Sequence, residues 1–589
     1  MTGPAVTSPL IRRLTIERFR GIDKLVWHPT SGVNVILGGG DVGKTTILDA
    51  ISLLLHPTNT VTLTDADYWR REVENCFCIE AVMSLPDGCG INQQTKNAWP
   101  WEWNGTDPIR PDLDTDPVSK NETDVVYCLR VRGTTDFDVA FEVLQPDATS
   151  DHLSVSVRRA IGLVRLGGDD RNDRDLRLVQ GSALDRLLSD KTLRSRLGKL
   201  LGANDIQQEL HEDAKTRLKE LDEAFRKSAL PGELGLGLTG GQGFSLNALI
   251  GLTANKDGID LPLVTWGAGT RRLAALEIAA AHLGESPIVV VDEVERGLEP
   301  YRQRVLMGQL QKSGSQVFLT THSAAALRAV DDASLWYMDT DGTVGRLPAK
   351  AKLHEKGDPE TFLARIAIVA EGATEVGFVT ALLEKAVGAD LLAHGIWVTD
   401  GCGNDSTLEL LEGLANSGLK FGGFADDEGR SPDRWAAVKK KLNDLLFRWA
   451  SGCIEKNIIE LIQPASLEAF IRDCEDEQTG ERLRTLADRL GLQDKDISSI
   501  IAKSTDLNAL MIAAATGAVP DDKKDADKSV KKAFQKHAER WFKSVEGGKE
   551  LAAKLFVFDL WPQLKPQLLP FLNAVRAAIS LPQITDLPS

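Results

Sequence analysis

Two sets of residues in this 589-residue chain have the types and spacing that chemistry needs. The first is Gly38-Gly39-Gly40-Asp41-Val42-Gly43-Lys44-Thr45-Thr46. Glycines let a backbone curl around an anion with φ values that a Cβ opposes. The spacing is that of a P-loop: the backbone over Gly38, Gly40, Asp41, Val42 and Gly43 cradles phosphates, Lys44 reaches the terminal ones and the Thr45 hydroxyl, followed by Thr46, holds magnesium. This predicts ATP or GTP as ligand. Far downstream, Ile288-Val289-Val290-Val291-Asp292-Glu293 is a β-branched run ending in two carboxylates. A Walker B strand presents its aspartate to magnesium and its glutamate to the attacking water in this way.

The second set is acidic. Glu371 and Glu375 follow the apolar run 365–370 and open an apolar-periodic segment, and one helical turn apart they share a face. Phe421–Ala425 ends in Asp426-Asp427-Glu428, and Ile396–Thr399 ends at Asp400. Carboxylates just past the C-terminal ends of successive parallel strands converge on one sheet edge, where open α/β domains bind ligands. So much negative charge calls for a divalent cation, Mg2+ or Mn2+. Glu455 and Glu468 are further candidate ligands. A surface or helix-capping role suits Glu455 equally, and Glu468 equally suits the first turn of a helix capped by Ser466.

The elements that must position these groups are legible around them. Val33–Leu37 reads as the strand before the P-loop, and Ile47, Leu48, Ile51 and Leu54 as the helix after it. A first strand is expected over Ile11–Gly21, and β-rich runs over Cys76–Leu85, Val125–Val131 and Phe137–Leu144 predict antiparallel strands in a mixed sheet. The Trp99–Trp103 stretch carries no assignable chemistry. Residues 173–232, with Leu210, Ala214, Leu218, Leu221 and Phe225 at helical spacing, predict a helical insertion used for dimerisation or for packing. Thr265–Arg272, containing Gly267 and Gly269, leads into an apolar helix and forms a second anion-receptive helix start. Val317–Ser323 is a strand ending near His322. The polar stretch Asp339–Glu360 reads as a linker, Ile458–Ile462 as one more short strand, and Trp541–Lys549 as a polar turn flanked by aromatics. Lys523–Arg540 is lysine-rich, either a phosphate-contact face or a solvated helix.

Composition bounds the class. With 42% apolar and 26% charged residues the chain is that of a globular protein, and no apolar run reaches the roughly 18 to 20 residues of a membrane span. Seven scattered cysteines suit a reducing, cytoplasmic setting rather than a disulfide framework. A net charge of -16 weighs against generalised nucleic-acid affinity but permits DNA on a local groove or through metal ions.

The order of motifs resembles known families. P-loop, glycine-rich helix start, Walker B pair and Thr321-His322 resemble the ABC-type ATPases of the SMC and RecF group, with Lys44, Thr45, Asp292, Glu293 and His322 matching residue by residue. The Phe19-Arg20-Gly21 opening matches as well. That resemblance implies ATP held between two subunits, Glu293 and His322 as catalytic groups, and Gly267 and Gly269 facing ATP. The signature is Gly-Ala-Gly-Thr here rather than Leu-Ser-Gly-Gly. Glu371-Gly372 followed by Asp426-Asp427-Glu428 resembles a TOPRIM domain, with Glu428 where that family has aspartate.

An ABC-type ATPase followed by TOPRIM is similar to the OLD nuclease family, which includes the ATPase-nuclease subunit of the Gabija anti-phage system. The implied chain is an α/β protein with ATPase parts at 1–172 and 233–345, a linker at 346–361 and TOPRIM at 362–589 with a helical insertion about 471–540. The resemblance further implies two-metal DNA cleavage, a homodimer or tetramer, a possible helicase partner and a transition-state lysine. Lys543 is the choice and Lys549 the alternative.

Overall fold

The computed structural model describes residues 8–166 apart from 41, 94–96 and 112–124, isolated positions within 167–250, and 251–588 apart from 257–258, 281–285, 340–341, 348–356, 416–418 and 473–477. Asp41 and nearly all of the expected helical insertion at 173–232 lie outside the described residues. The chain forms two compact units: residues 1–20, 26–33 and 45–319, and residues 21–25, 34–44 and 320–589.

The first unit carries an antiparallel sheet. Leu10–Phe19 pairs with Cys78–Ser84, which pairs with Val125–Gly133, which in turn pairs with Val139–Leu144. Trp101–Trp103, which had no role in the sequence, is a short strand that pairs with Val125 and Val126 on one side and with Pro108–Ile109 on the other. A separate parallel ribbon joins Leu163–Leu166, Ile288–Val291 and Val317–Leu319. Ile288–Val291 and Val317–Thr320 are wholly buried, which is why Ile288–Val291 reads as a continuous β-branched run rather than an alternating one; Leu163–Leu166 buries alternate residues.

The second unit carries a four-stranded parallel sheet in the order Ile396–Asp400, Ile366–Ala370, Phe421–Ala425, Leu446–Arg448. Parallel neighbours need crossovers. The helices Ala373–Val387, Asn404–Leu414 and Pro432–Leu442 supply them. Phe424 and Phe447 stack with ring centroids 4.6 Å apart, and Phe571 closes edge-on against Phe424.

The order places the strand Ile366–Ala370 where the winding reverses. Open α/β sheets form their ligand crevice at such a point.

Three expectations differ from the structure. Ile458–Ile462 is not a strand: Ile454–Ile459 is a helix, with Ile454, Glu455, Ile458 and Ile459 buried at helical spacing, and tertiary burial has overridden the β-propensity of isoleucine. The polar stretch from Asp339 is not all linker, since Val344–Arg346 pairs back onto Trp336–Met338. The region after Lys543 is not a turn. Ser544 caps a helix, Val545–Val557, by accepting from Gly547 N, and Gly547 and Gly548 sit in its first turns because a Cβ on Gly548 would lie 2.0 Å from Thr374 O.

Candidate nucleotide site and carboxylate centre

At the P-loop, Gly38 has φ +149 and a Cβ there would fall 2.5 Å from Met338 O, while Gly43 has φ +103. Both positions therefore require glycine. Lys44, at the start of the helix Lys44–Leu54, turns its ammonium onto the loop's own carbonyls, 3.0 Å from Gly38 O and 2.5 Å from Gly39 O. Thr45 is exposed, and its Oγ1 lies 3.3 Å from Asp292 Oδ1. A hydroxyl and a carboxylate this close are the pair that would hold the magnesium of a nucleotide. Thr46 is half-buried behind them.

Arg272 holds the Walker B end in place, a part the sequence reading missed. Its buried guanidinium donates to the carbonyls of Asp292 (2.6 Å), Glu293 (3.0 Å) and Arg296 (2.7 Å). Glu293 sits at φ 50, a left-handed conformation uncommon for a residue with a side chain, and the carbonyl bonds fix it there. Its carboxylate is half-exposed, 3.6 Å from the Arg296 guanidinium.

Gly269 is needed for close packing: a Cβ would meet Leu298 Cδ2 at 2.7 Å and Gly297 O at 2.8 Å. Gly267 has open space around it. His322 is exposed, immediately before the helix Ala324–Arg328 that Ser323 caps.

At the second centre, two strand ends (Glu371, Asp426) and two helix starts (Glu375, Glu455) bring four carboxylates together. Glu371, Glu375 and Asp426 are buried, and Glu455 is buried completely. Glu371 Oε2 accepts from Asn404 Nδ2 at 2.8 Å and from Asp426 N at 2.9 Å. Asp426 Oδ1 accepts from Ile454 N at 3.1 Å. One oxygen of each is thus tied to the scaffold. Glu375 Oε1 and Glu455 Oε2 are buried and accept no hydrogen bond among the described residues.

Lys543 Nζ lies 3.0 Å from Glu455 Oε1. Burial pushes the carboxyls up, and their mutual repulsion adds to it: Glu375 reaches about 7 and Asp426 about 9, with Glu371 also raised. Burial opposes the charge on Lys543, but Glu455, Glu375 and Asp426 outweigh it and keep the ammonium protonated.

Four buried carboxylates facing one ammonium are short of positive charge, and two of their oxygens lack a partner among the described residues. Hard oxygen donors of this kind fit Mg2+ or Mn2+. Asp426, Glu455 and Cys453 offer ligand atoms within 4.8 Å of one another. Burial pushes the Cys453 thiol up to about 12, so it stays protonated and leaves the hard-donor role to the carboxylates.

The remaining sequence candidates lie elsewhere. Asp427 is neutralised by Arg448, whose Nη2 donates to it at 2.6 Å. Glu428 is partly exposed, 3.5 Å from Arg430. Glu468 is a surface residue 3.5 Å from Arg472, and Lys549 pairs with Glu546 at 3.0 Å on the exposed side of its helix. The sequence reading missed Asn404 and gave Arg448 no role. The signal for Asn404 was the Gly-Cys-Gly-Asn turn directly after a strand end.

Comparison with known proteins reaches parts of the chain. Residues 150–328 match the family described as "AAA domain, putative AbiEii toxin, Type IV TA system". A 72-residue stretch is 39% identical to the DNA replication and repair protein RecF of Myxococcus xanthus, and a 48-residue stretch is 44% identical to that of Teredinibacter turnerae. These matches cover 12% and 8% of this chain and only 19% and 13% of those relatives. Among solved structures, the recombination mediator protein RecF with ATP is 14% identical over 58% of this chain and 99% of its own, at a TM-score of 0.33. An Smc head domain bound to the C-terminal domain of ScpA, from Pyrococcus furiosus, is 13% identical over 59% and 98%, also at 0.33. No helix among the described residues is long and apolar enough to cross a membrane. The chain therefore carries an AAA-type ATPase domain over residues 150–328.

Proposed function

We propose that this chain is an ATP-regulated, divalent-cation-dependent DNA endonuclease of the OLD type, acting as a homo-oligomer, with phage defence as the setting that type implies. The observation that carries the reading is the buried cluster of Glu371, Glu375, Asp426 and Glu455 around Lys543 at the crevice of a parallel sheet. Glu371, Asp426 and the partnerless oxygens of Glu375 and Glu455 would hold one or two Mg2+ or Mn2+ ions. Bound there, such ions would supply the charge that activates water and stabilises the leaving oxygen of a phosphodiester.

The chain's own groups do the rest. Asn404 and the backbone N–H of Asp426 fix the Glu371 carboxylate, so the cluster is preorganised before any ligand arrives. Lys543 supplies a fixed positive charge beside the carboxylates, suited to a phosphate whose charge grows in the transition state. Glu293 and His322 serve ATP turnover, and Lys44, Thr45 and Asp292 hold the nucleotide.

Supercoiled plasmid incubated with Mg2+ or Mn2+ tests the reading. The wild-type chain is expected to nick it and Glu371→Ala to lose that activity. Lys44→Ala shows whether nucleotide governs cleavage.

A second reading is a RecF-like ATPase that binds DNA without cutting it, which the two local RecF matches favour. Failure of the wild-type chain to cut any DNA offered, with ATP-dependent DNA binding intact, would move that reading to first place.

A further inference from the structure

A cleft of about 480 Å³ is lined by P-loop residues 38–40, by His322 and Asp339, and by Arg365, Gly395 and Lys420. Each of the last three is the residue immediately before a strand of the parallel sheet. Ile366–Ala370, Ile396–Asp400 and Phe421–Ala425 start there. At their far ends stand Glu371, Asp400 and Asp426. The cleft and the carboxylate centre are thus opposite ends of the same three strands, separated by about 17 Å for five extended residues.

The three strands are tied at both ends. In the cleft, Arg365 N and Ile366 N donate to Gly395 O at 2.8 and 3.2 Å, and Ala367 N donates to Lys420 O at 3.2 Å. At the other end, Glu371 N donates to Phe424 O at 3.0 Å and Gly403 N to Glu371 O at 2.8 Å. A displacement at the cleft end has a short, continuously hydrogen-bonded route to the carboxylates.

Arg365 and Lys420 are exposed in the cleft. The Arg365 guanidinium has one long hydrogen bond, 3.4 Å to Ser580 Oγ, and Lys420 makes no ion pair among the described residues. Two cations and one carboxylate, Asp339, line this cleft with the phosphate-cradling glycines, and the cations match the chemistry of a polyphosphate: a guanidinium can grip two phosphate oxygens and an ammonium adds a point charge.

We propose that Arg365 and Lys420 contact the terminal phosphate of the nucleotide held at the P-loop. The sheet that carries the carboxylate centre thereby distinguishes a triphosphate from a diphosphate and passes that state along its three strands. This rests on the nucleotide-binding part of the function proposed above and not on nuclease activity.

The test uses the full-length chain with Mg2+ and fluorescent ATP and ADP analogues. The wild type is expected to bind the ATP analogue more tightly than the ADP analogue. In the Arg365→Ala/Lys420→Ala chain, affinity for the ATP analogue falls about tenfold, the order of one lost charged phosphate contact, while affinity for the ADP analogue changes less than about twofold. Arg365→Lys keeps part of the preference. Hydrogen exchange at residues 370–372 and 425–427 responds to ATP in the wild type and not in the double variant.

A double variant that keeps the wild-type ATP preference, or a wild type without one, overturns the proposal. So does exchange at the strand ends that ignores ATP. Loss of both nucleotides by Lys44→Ala ties the signal to the P-loop. A wild type that binds neither nucleotide overturns the P-loop reading itself, and DNA cleavage enters none of these outcomes.

Discussion

Lys543 Nζ stands 3.0 Å from Glu455 Oε1, although Glu455 lies in the helix Ile454–Ile459 and Lys543 in the turn before the helix Val545–Val557, 88 positions on. Glu455 has no exposed surface, so this ammonium is its counterion within the protein. Removing one partner of a buried pair leaves the other charge uncompensated. Without metal at pH 8, Lys543→Met should lower stability, and adding Glu455→Gln should restore part of it. Urea denaturation of the four proteins should give a coupling of about 0.5 to 3 kcal/mol. Additive effects would show that the pair does not interact.

The raised carboxyls set a pH dependence for the metal-free chain. Unfolded Asp and Glu titrate near 4, while Glu375 and Asp426 in the fold reach about 7 and about 9. The folded state therefore holds extra protons between those limits. Their contribution to stability is complete below about pH 4 and is lost as pH rises through about 7 for Glu375 and about 9 for Asp426. In EDTA, urea midpoints should fall from pH 6 to pH 9, Mg2+ should offset the fall, and Asp426→Asn should flatten it. A midpoint in EDTA that rises over this range would contradict the assignment.

The helices bearing Glu375 and Lys549 cross through glycine. A Cβ on Gly377 would sit 1.8 Å from Val545 O, and one on Gly548 2.0 Å from Thr374 O. Gly377→Ala or Gly548→Ala must push the helices apart, at a cost of about 1 to 3 kcal/mol for overpacking. Thermal unfolding should show the loss. Because Thr374 Oγ1 also donates to Phe542 O at 2.8 Å, metal-dependent cleavage should fall with it.

Arg272→Ala strips hydrogen bonds from the carbonyls of Asp292, Glu293 and Arg296. The buried Asp292 carbonyl costs about 1 to 3 kcal/mol if it is left unpaired, while Glu293 O keeps its bond from Arg296 N at 3.0 Å. If half of that loss falls on the positioning of Glu293, ATP hydrolysis drops by about two- to twelvefold. Steady-state phosphate release measures it, and turnover equal to wild type would remove Arg272 from this role.

How much of this could be read in the sequence depends on how local each feature is. The P-loop lysine and threonine are set by an eight-residue spacing, and Glu371 and Asp426 by their place after buried strands, so all were visible. Glu455 was ambiguous because an acid in a first helical turn is common. Its burial follows from Ile458 and Ile459 lying three and four residues on, a pattern concealed when those isoleucines read as strand. Lys543 and Lys549 were indistinguishable without the knowledge that Ser544 starts a helix, which turns Lys549 toward Glu546 and solvent. Arg272 acts through contacts about 20 residues away that no local pattern reports, and Asn404 reaches Glu371 33 positions back, with only the Gly-Cys-Gly-Asn turn as a local sign.

Mn2+ binding to the nucleotide-free chain, counted by electron paramagnetic resonance, tests most directly whether the buried carboxylates form a cation site. The account predicts one or two bound Mn2+ per chain, loss of that binding in Asp426→Asn, and retention in Thr45→Ala, whose hydroxyl serves the nucleotide's own cation. A wild-type chain that binds no Mn2+, or an Asp426→Asn chain that binds as much as wild type, would contradict it.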